Sequence, residues 1–375
     1  MSTASPPLLV RNLLSAKQNT LFRQLHIKAM EAPHDLPITD LDYPKPISAP
    51  PPPISKDIEL KRAIEASSKS TLFNLTTDHV LYQDEWLMAV NKPKGVYCES
   101  VLSSAPNIIL DSSLNEFHLA NRLDRDTSGV MLITKSHKVA AKLVKAFTEH
   151  KIRKSYIALS IAPSPNWSKI TIKSGHGRSK HGAWRVYAAL DVGKVLPGGS
   201  FVRDMETTFE VVSINGENPQ PSESESIIVV EGGEPELSCV GDGDDVVVVR
   251  AFPQSGRTHQ IRLHCQYLGI PIRGDVKYHG MYKWRGRTFE GHELHAESLS
   301  LDHPITGNID AEGELEFDCS SLDTNDSDNE SDDVDLNTSE HDRSVKKTSK
   351  AATKGQNKDG IVFLKDTFNS STLFY

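Results

Sequence analysis

Three segments of the sequence combine residue types that could carry out nucleophilic or acid–base chemistry. Asp124 stands between Arg122 and Arg125, and a Thr-Ser-Gly turn follows it. Such a turn can hold a carboxylate rigidly and leave it open to a ligand, although an isolated turn aspartate more often caps backbone amides. Tyr156 lies in "KSYIAL" and Arg262 lies in "GRTHQIRLH". Taken alone, a strand tyrosine usually packs in a core, and a helical arginine is usually solvated.

The elements that must position these residues can be predicted from hydrophobic periodicity. The unbroken apolar run "GVMLITK" predicts a buried strand, and an amphipathic helix with Ser136 as its N-cap follows. Further strands are predicted in "KSYIALS", "ETTFEVVS" and "VVVVRA", and two more flank a turn at Gln83-Asp84-Glu85. "GRTHQIRLHCQYLG" predicts a helix that stops at Gly269. Hairpins and helices without regular βαβ alternation favour an α+β domain.

The net charge of −8 conceals a segregated distribution. Residues 122–185 contain 14 Lys/Arg and three acidic residues, a net +11, whereas 216–245 and 318–342 contain nine and ten acidic residues and no Lys/Arg. Basic segments attract phosphate backbones, and acidic polar runs usually stay solvated. The pattern favours a nucleic-acid partner, and lysines that merely solvate ordinary surfaces are the alternative.

The chain is predicted to have three parts. Residues 1–71 form an N-terminal extension with a proline-rich connector, residues 72–317 a catalytic domain with an acidic surface loop inserted at 216–245, and residues 318–375 an acidic, disordered tail. The first thirty residues contain no Asp or Glu but four Lys/Arg, which is typical of a mitochondrial or chloroplast presequence. A natural N-terminal arm is the alternative, so cytoplasm, nucleus and organelles are all candidate compartments.

The composition also bounds the partners. No apolar run is long enough to cross a bilayer, so no membrane partner is expected. The four cysteines are scattered and form no CxxC pair, which argues against a disulfide framework and a cysteine zinc site. We expect the protein to act as a monomer.

Taken together, these segments resemble the RluA-type pseudouridine synthases. The matching segments are "NKPKG", "RLDRDTSG", "KSYIAL", "GRTHQIRLH", "GIPIRGD" and "LHAESLSLDHP", which occur in the family's order within residues 80–304. The resemblance implies a mostly antiparallel sheet with flanking helices, bisected by an RNA-binding cleft. It also implies the reaction, isomerisation of uridine to pseudouridine in ribosomal or transfer RNA.

The resemblance implies a role for each of the three residues. Asp124 adds to C1′ of the ribose or removes the C2′ proton, and Arg262 supplies its counter-charge by bidentate pairing. Tyr156 lies against the uracil and is a candidate to accept the C5 proton. Breaking the N1–C1′ bond and rejoining the base through C5 requires neither redox chemistry nor a metal, so no cofactor and no metal site are expected.

The same resemblance predicts the RNA contacts. A stacked uridine must flip out to react, and Arg122 matches the family residue that fills the vacated space. Basic residues near the cleft are expected to bind RNA: Lys138, Lys142, Lys145 and Lys154. One departure is Asn121, which stands where the family usually has histidine and cannot become cationic. No S4-like RNA-binding module is found upstream.

Three rival functions fit part of the pattern. A glycoside hydrolase could use Asp124 and Asp126, but two carboxylates on one turn are poorly placed to flank a sugar. A non-catalytic RNA-binding protein would not need Tyr156 and Arg262 beside Asp124. A metal hydrolase is the third rival. Its ligands would be His259, His264 and His295, but the two on the predicted helix are poorly spaced for binding a metal.

Overall fold

The computed structural model describes residues 43–109, 116–218, 225–232, 243–306 and 314–318. All of these except Tyr43 belong to one compact unit, Pro44–Tyr375. The predicted presequence and the tail beyond residue 318 lie outside the described residues. Within the described ranges, no helix is long and apolar enough to cross a membrane.

The described residues form four α-helices and fourteen strands. The helices are α1 (Ser55–Leu72), α2 (Cys98–Ser104), α3 (His137–Thr148) and α4 (Gln260–Tyr267). The strands are β1 (Val80–Gln83), β2 (Leu87–Lys92), β3 (His118–Leu119), β4 (Ser128–Thr134), β5 (Arg153–Ala162), β6 (Lys169–Arg178), β7 (Trp184–Tyr187), β8 (Arg203–Ile214), β9 (Glu225–Val229), β10 (Asp245–Pro253), β11 (Lys283–Trp284), β12 (Arg287–Thr288), β13 (Leu294–Asp302) and β14 (Glu314–Asp318).

Twelve of these strands build one sheet. Its order is β1-β2-β4-β13-β5-β10-β8-β6-β7, with β3, β14 and β9 pairing with β4, β13 and β6. All pairs are antiparallel except β4–β13 and β6–β9. The β4–β13 contact pairs only two positions, Ser128 with His295 and Gly129 with Ala296. The sheet is therefore divided at this junction, and the predicted mostly antiparallel, bisected α+β fold is confirmed.

The Thr-Ser-Gly sequence fixes this junction. Gly129 has φ +108°, and a Cβ there would clash with the facing backbone of β13, so only glycine fits. Thr127 Oγ1 is hydrogen-bonded to His292 Nε2 at 2.8 Å, and Ser128 Oγ to His295 Nδ1 at 2.9 Å. The turn that precedes β4, and with it Asp124, is held at the centre of the sheet.

Both faces of β2 and β4 are buried, which explains their unbroken apolar runs. One face packs against α3 through alternate residues: Leu87, Ala89, Val130 and Leu132. The other face packs against α2 through the residues between them: Met88, Val90, Met131 and Ile133. A larger core lies between α4 and the strands of the other half of the sheet. The predicted N-cap of α3 is confirmed, since Ser136 Oγ accepts from the backbone N–H of Val139 at 3.3 Å.

Folded sequence begins earlier than predicted. All but the last residue of helix α1 lies in the stretch 1–71 that we expected to be an extension. Its buried positions are small or polar: Ser55, Arg62, Ala66 and Ser70. Leu60 and Ile64 are exposed instead. The apolar periodicity that reveals an amphipathic helix is therefore missing, and the prediction was wrong for this segment.

The prediction of a surface loop at 216–245 is also wrong in part. Glu225–Val229 form β9, which pairs parallel with β6 over five positions. The run "SIIV" has the β-branched composition that favours a strand, but the acidic residues around it masked that signal. Residues 219–224 and 233–242 lie outside the described residues.

Candidate active site

A cavity of about 480 Å³ lies at the junction of the two halves of the sheet, and this volume suits a small ligand. Asp124, Tyr156 and Arg262 all line it. Asp124 comes from the turn before β4, Tyr156 from β5 and Arg262 from α4. The fold thus brings together three residues that are far apart in the sequence and were predicted to act together.

Asp124 and Arg262 form an ion pair in the wall of this cavity. Arg262 Nη1 donates to Asp124 Oδ2 at 2.7 Å. The arginine side chain is 6% exposed, whereas the aspartate side chain is 29% exposed. The guanidinium is therefore buried in the cavity wall, whereas part of the carboxylate stays accessible to a ligand in the cavity.

The bidentate partner of Arg262 is Asp275, not Asp124. Arg262 Nε and Nη2 donate to the two carboxylate oxygens of Asp275 at 2.6 and 2.9 Å. The predicted bidentate pairing with Asp124 is wrong because the Nε–Nη2 edge of the guanidinium pairs with Asp275, whose side chain is 1% exposed, and only Nη1 remains for Asp124. Asp275 ends the segment "GIPIRGD", which the sequence analysis singled out, but nothing in the sequence shows that Asp275 pairs with Arg262.

The electrostatics keep Asp124 ionised. Burial alone would raise its pKa, but the charge and hydrogen bond of Arg262, with smaller contributions from His259 and Lys277, lower the pKa below the ordinary value. His259 Nε2 lies 3.7 Å from Asp124 Oδ2. Burial and the charge of Arg262 lower the pKa of His259 to about 3, so its ring is neutral near pH 7. Arg262 is therefore the main counter-charge that keeps Asp124 ionised.

Tyr156 is partly buried and packs against the cores on both sides of the junction. Burial and the negative charge of Asp124 raise the pKa of Tyr156 to about 12. The phenol is therefore protonated near pH 7. It can lie against a base in this state, but it can accept a proton from carbon only if its own proton is passed on.

The predicted RNA contacts separate into two groups. Arg122 and Lys154 line the cavity. Arg122 is exposed, and its Nη2 lies 3.6 Å from Glu99 Oε1. Lys154 donates to the carbonyl of Ser255 at 3.0 Å, and burial lowers the pKa of Lys154 to about 8.

The other three lysines are exposed on the opposite side of α3 from its cavity-lining residues, Val144 and Phe147. These lysines are Lys138, Lys142 and Lys145.

The charge count along the sequence overstated the basic surface. Lys169 and Lys173 on β6 lie 3.3 Å from Glu210 and Glu206 on the adjacent β8. The net +11 of residues 122–185 is thus partly neutralised by acidic residues that come later in the chain.

Asn121, which departs from the family pattern, has a structural role. Its Oδ1 accepts the backbone N–H of Leu132 at 2.8 Å. An acceptor without charge satisfies this strand amide, so asparagine keeps the turn before Asp124 attached to β4.

The rival sites are not assembled. Asp126 pairs with Arg125 Nε and Nη2 at 2.7 and 2.6 Å and does not line the cavity with Asp124. The three histidines have separate hydrogen-bond partners: His259 with Tyr278, His264 with Ser174 and Thr207, and His295 with Ser128. Within the part of the chain that the structure describes, no group of three or more His, Cys, Asp or Glu residues could hold a metal ion.

Comparison with known proteins gives a consistent result. A family model described as RNA pseudouridylate synthase matches residues 86–267. RNA pseudouridine synthase 1 of Arabidopsis thaliana is 79% identical over 284 residues, which cover 75% of this chain and 87% of that protein. RNA pseudouridine synthase 1 of Oryza sativa subsp. japonica is 56% identical over 280 residues, covering 71% and 80%. Ribosomal large subunit pseudouridine synthase C of Rickettsia prowazekii is 29% identical over 255 residues, covering 65% and 70%. The chain belongs to the RluA-type family of RNA pseudouridine synthases.

Proposed function

We propose that this enzyme isomerises specific uridines in ribosomal or transfer RNA, with Asp124 as the group that acts on the ribose. The observation that carries the proposal is the carboxylate of Asp124, held by Arg262 in the wall of a cavity and still open to it. The name of the Rickettsia relative, a ribosomal large subunit enzyme, supports ribosomal RNA as a substrate class. The test is turnover of [5-³H]uridine-labelled RNA from cells that lack the protein, because C5 loses its tritium to water when pseudouridine forms.

The reaction exchanges one C–N bond for one C–C bond. Asp124 either adds to C1′ as the N1–C1′ bond breaks or removes the C2′ proton, and in both cases the bonding electrons leave with the uracil ring. The ring rotates, C5 bonds to C1′, and Asp124 is released or returns its proton to C2′. C5 then loses its proton and N1 gains one. Each route needs an ionised carboxylate at the start, which the ion pair with Arg262 supplies.

Deuterium at C2′ distinguishes the two routes. Removal of the C2′ proton breaks that bond, so deuterium there should slow turnover when this step is rate-limiting, and the product loses deuterium to the extent that the Asp124 carboxyl exchanges its proton with solvent before returning it. Addition to C1′ leaves C2′ untouched, so the product keeps all of its deuterium.

Tyr156 and Arg122 act on the base and on the vacated stack. The neutral phenol of Tyr156 lies against the flipped uracil and relays the C5 proton: its own proton leaves to water as the C5 proton arrives. The exposed guanidinium of Arg122 at the cavity can enter the space that the uridine leaves.

The three exposed lysines of α3 can contact only RNA beyond the flipped nucleotide. A triple variant with alanine at all three positions, Lys138, Lys142 and Lys145, should bind RNA more weakly without a change in turnover at saturating RNA. Each lost phosphate contact should flatten the slope of log K against log salt by about 0.7–0.9. Binding titrations at several salt concentrations measure the slope, with Lys61→Ala on α1 as a control. An unchanged affinity and slope would show that these lysines only solvate the helix.

Chelation should leave the activity intact. The isomerisation needs no electron transfer, and the carboxylate supplies what the sugar requires, so dialysis against EDTA should change turnover by less than about twofold. The assay is tritium release from RNA that was folded before chelation. Loss of activity that zinc or magnesium restores would contradict this expectation.

A further inference from the structure

Helix α1 touches the turn that carries Asp124 and the loop that carries Asp275, the second partner of Arg262. It precedes residues 86–267, which match the family model, and its packing was not predicted from the sequence. Two of its residues, Glu59 and Arg62, are joined by a 3.1 Å hydrogen bond between Arg62 Nη1 and Glu59 Oε1. The side chain of Arg62 is 5% exposed and that of Glu59 is 30% exposed, so this charged pair is partly shielded from water.

Glu59 reaches the loop of Asp124. Its Oε2 accepts from Arg125 Nη2 at 3.1 Å, and Arg125 directly follows Asp124. The backbone carbonyl of Arg125 accepts from Lys92 Nζ and from the N–H of Gly95, both at 3.0 Å. Arg125 is thus held through its main chain from one side, and its side chain is shared between Asp126 and Glu59 of α1.

Arg62 reaches the loop of Asp275. Its Nη1 donates to the carbonyl of Gly274 at 2.9 Å, and its Nη2 donates to the carbonyl of Phe289 at 2.6 Å. Gly274 directly precedes Asp275, whose carboxylate holds Arg262 with two hydrogen bonds. The Glu59–Arg62 pair therefore contacts the sequence neighbours of both aspartates: Arg125 next to Asp124, and Gly274 next to Asp275.

We propose that Glu59 and Arg62 are positioning residues, a bridge that sets the distance between the Asp124 turn and the Asp275–Arg262 pair. The inference rests on the proposal that Asp124 acts on the ribose. A partly buried ion pair adds little to stability on balance, but it can specify geometry where two loops meet. A misplacement of about 1 Å at a catalytic group can cost on the order of 10²-fold in rate.

The expected signature is catalytic rather than a general loss of folding. Glu59→Gln removes the charge that joins Arg62 to Arg125 and leaves the side chain's shape nearly unchanged. It should lower kcat for tritium release from [5-³H]uridine-labelled RNA by about 10- to 100-fold, with the KM for RNA within about twofold of wild type. The acid limb of kcat should move to higher pH, because a displaced Arg262 lowers the pKa of Asp124 less. The charged and titratable groups that face Asp124 come from four parts of the fold: Arg262 and His259 from α4 and its cap, Lys277 and Tyr278 from the turn after Asp275, Tyr156 from β5 and Lys92 from β2.

A matched control lies on the same helix. Glu65 forms an exposed i,i+4 pair with Lys61 at 3.8 Å and contacts neither loop through that pair. Glu65→Gln should therefore keep wild-type kcat and pH dependence. Arg62→Lys should keep part of the wild-type kcat, because one cation remains near Gly274. Thermal unfolding of each variant separates a positioning effect from a loss of stability.

Asp124→Asn is assayed in parallel, so the two proposals fail in different ways. Inactive Asp124→Asn with wild-type kcat and an unmoved acid limb in Glu59→Gln would overturn the bridge and leave the assignment of Asp124 intact. Active Asp124→Asn would overturn both. A fall in kcat that Glu65→Gln shares, or that thermal unfolding fully explains, would also count against the bridge.

Discussion

Asp124→Asn should abolish pseudouridine formation while leaving RNA binding within about twofold of wild type. The amide is almost isosteric with the carboxylate, so the cavity and its RNA contacts should persist. It can neither attack C1′ nor take the C2′ proton, and loss of a reacting group of this kind lowers kcat by at least about 10³-fold. Tritium release from [5-³H]uridine-labelled RNA measures the rate, and filter binding measures the affinity.

The control for this substitution is Asp302→Asn. Asp302 is exposed at the end of β13 and does not line the cavity, so its amide should be neutral. An Asp124→Asn enzyme that kept even about a tenth of wild-type turnover would exclude Asp124 as the reacting group.

Arg262→Ala should have the second-largest effect. It leaves Asp124 without its counter-ion and leaves the buried Asp275 without the two hydrogen bonds from Arg262. Breaking such a pair costs on the order of 3 kcal/mol, which corresponds to roughly 150-fold in kcat/KM. Lysine should not substitute, because an ammonium cannot serve two carboxylates with the geometry of a planar fork. Steady-state kinetics of Arg262→Ala and Arg262→Lys test both statements.

The pH dependence gives the same substitution a second readout. In the wild-type enzyme the pKa of Asp124 lies below its ordinary value because Arg262 outweighs the effect of burial, so the reactive carboxylate should persist to lower pH than an ordinary aspartate would. Without Arg262, burial is no longer offset, the pKa rises, and the acid limb of kcat should move to higher pH. Arg203→Ala, at an exposed position on β8, is the control. Wild-type kinetics and an unmoved acid limb in Arg262→Ala would show that the ion pair has no part in the reaction.

The sequence predicts most of the sheet around the site because its strands carry strong local signals. Residues 130–133 of β4 form an unbroken apolar run, and the structure buries them on both faces of the sheet. Ser136 caps α3 as its position indicates. Asp124, Tyr156 and Arg262 could be grouped by the resemblance alone, since no local pattern relates a turn, a strand and a helix that meet only in three dimensions.

The remaining features depend on contacts that a linear pattern does not contain. Arg262 divides its fork between two acids, and only the turn that brings Asp275 back to α4 reveals this. The buried face of α1 is polar, so the hydrophobic signal for a packed helix is missing there. Lys169 and Lys173 count as a basic patch along the sequence, but they are compensated across strands by Glu210 and Glu206.

The assignment of Asp124-dependent pseudouridine formation to this protein is tested most directly by mapping pseudouridine position by position in ribosomal and transfer RNA. Three cell lines are compared: one with the wild-type protein, one without it, and one with Asp124→Asn in its place. One or a few positions should lose pseudouridine when the protein is absent, and only the wild-type protein should restore them. An identical map in all three lines, or restoration by Asp124→Asn, would contradict the assignment.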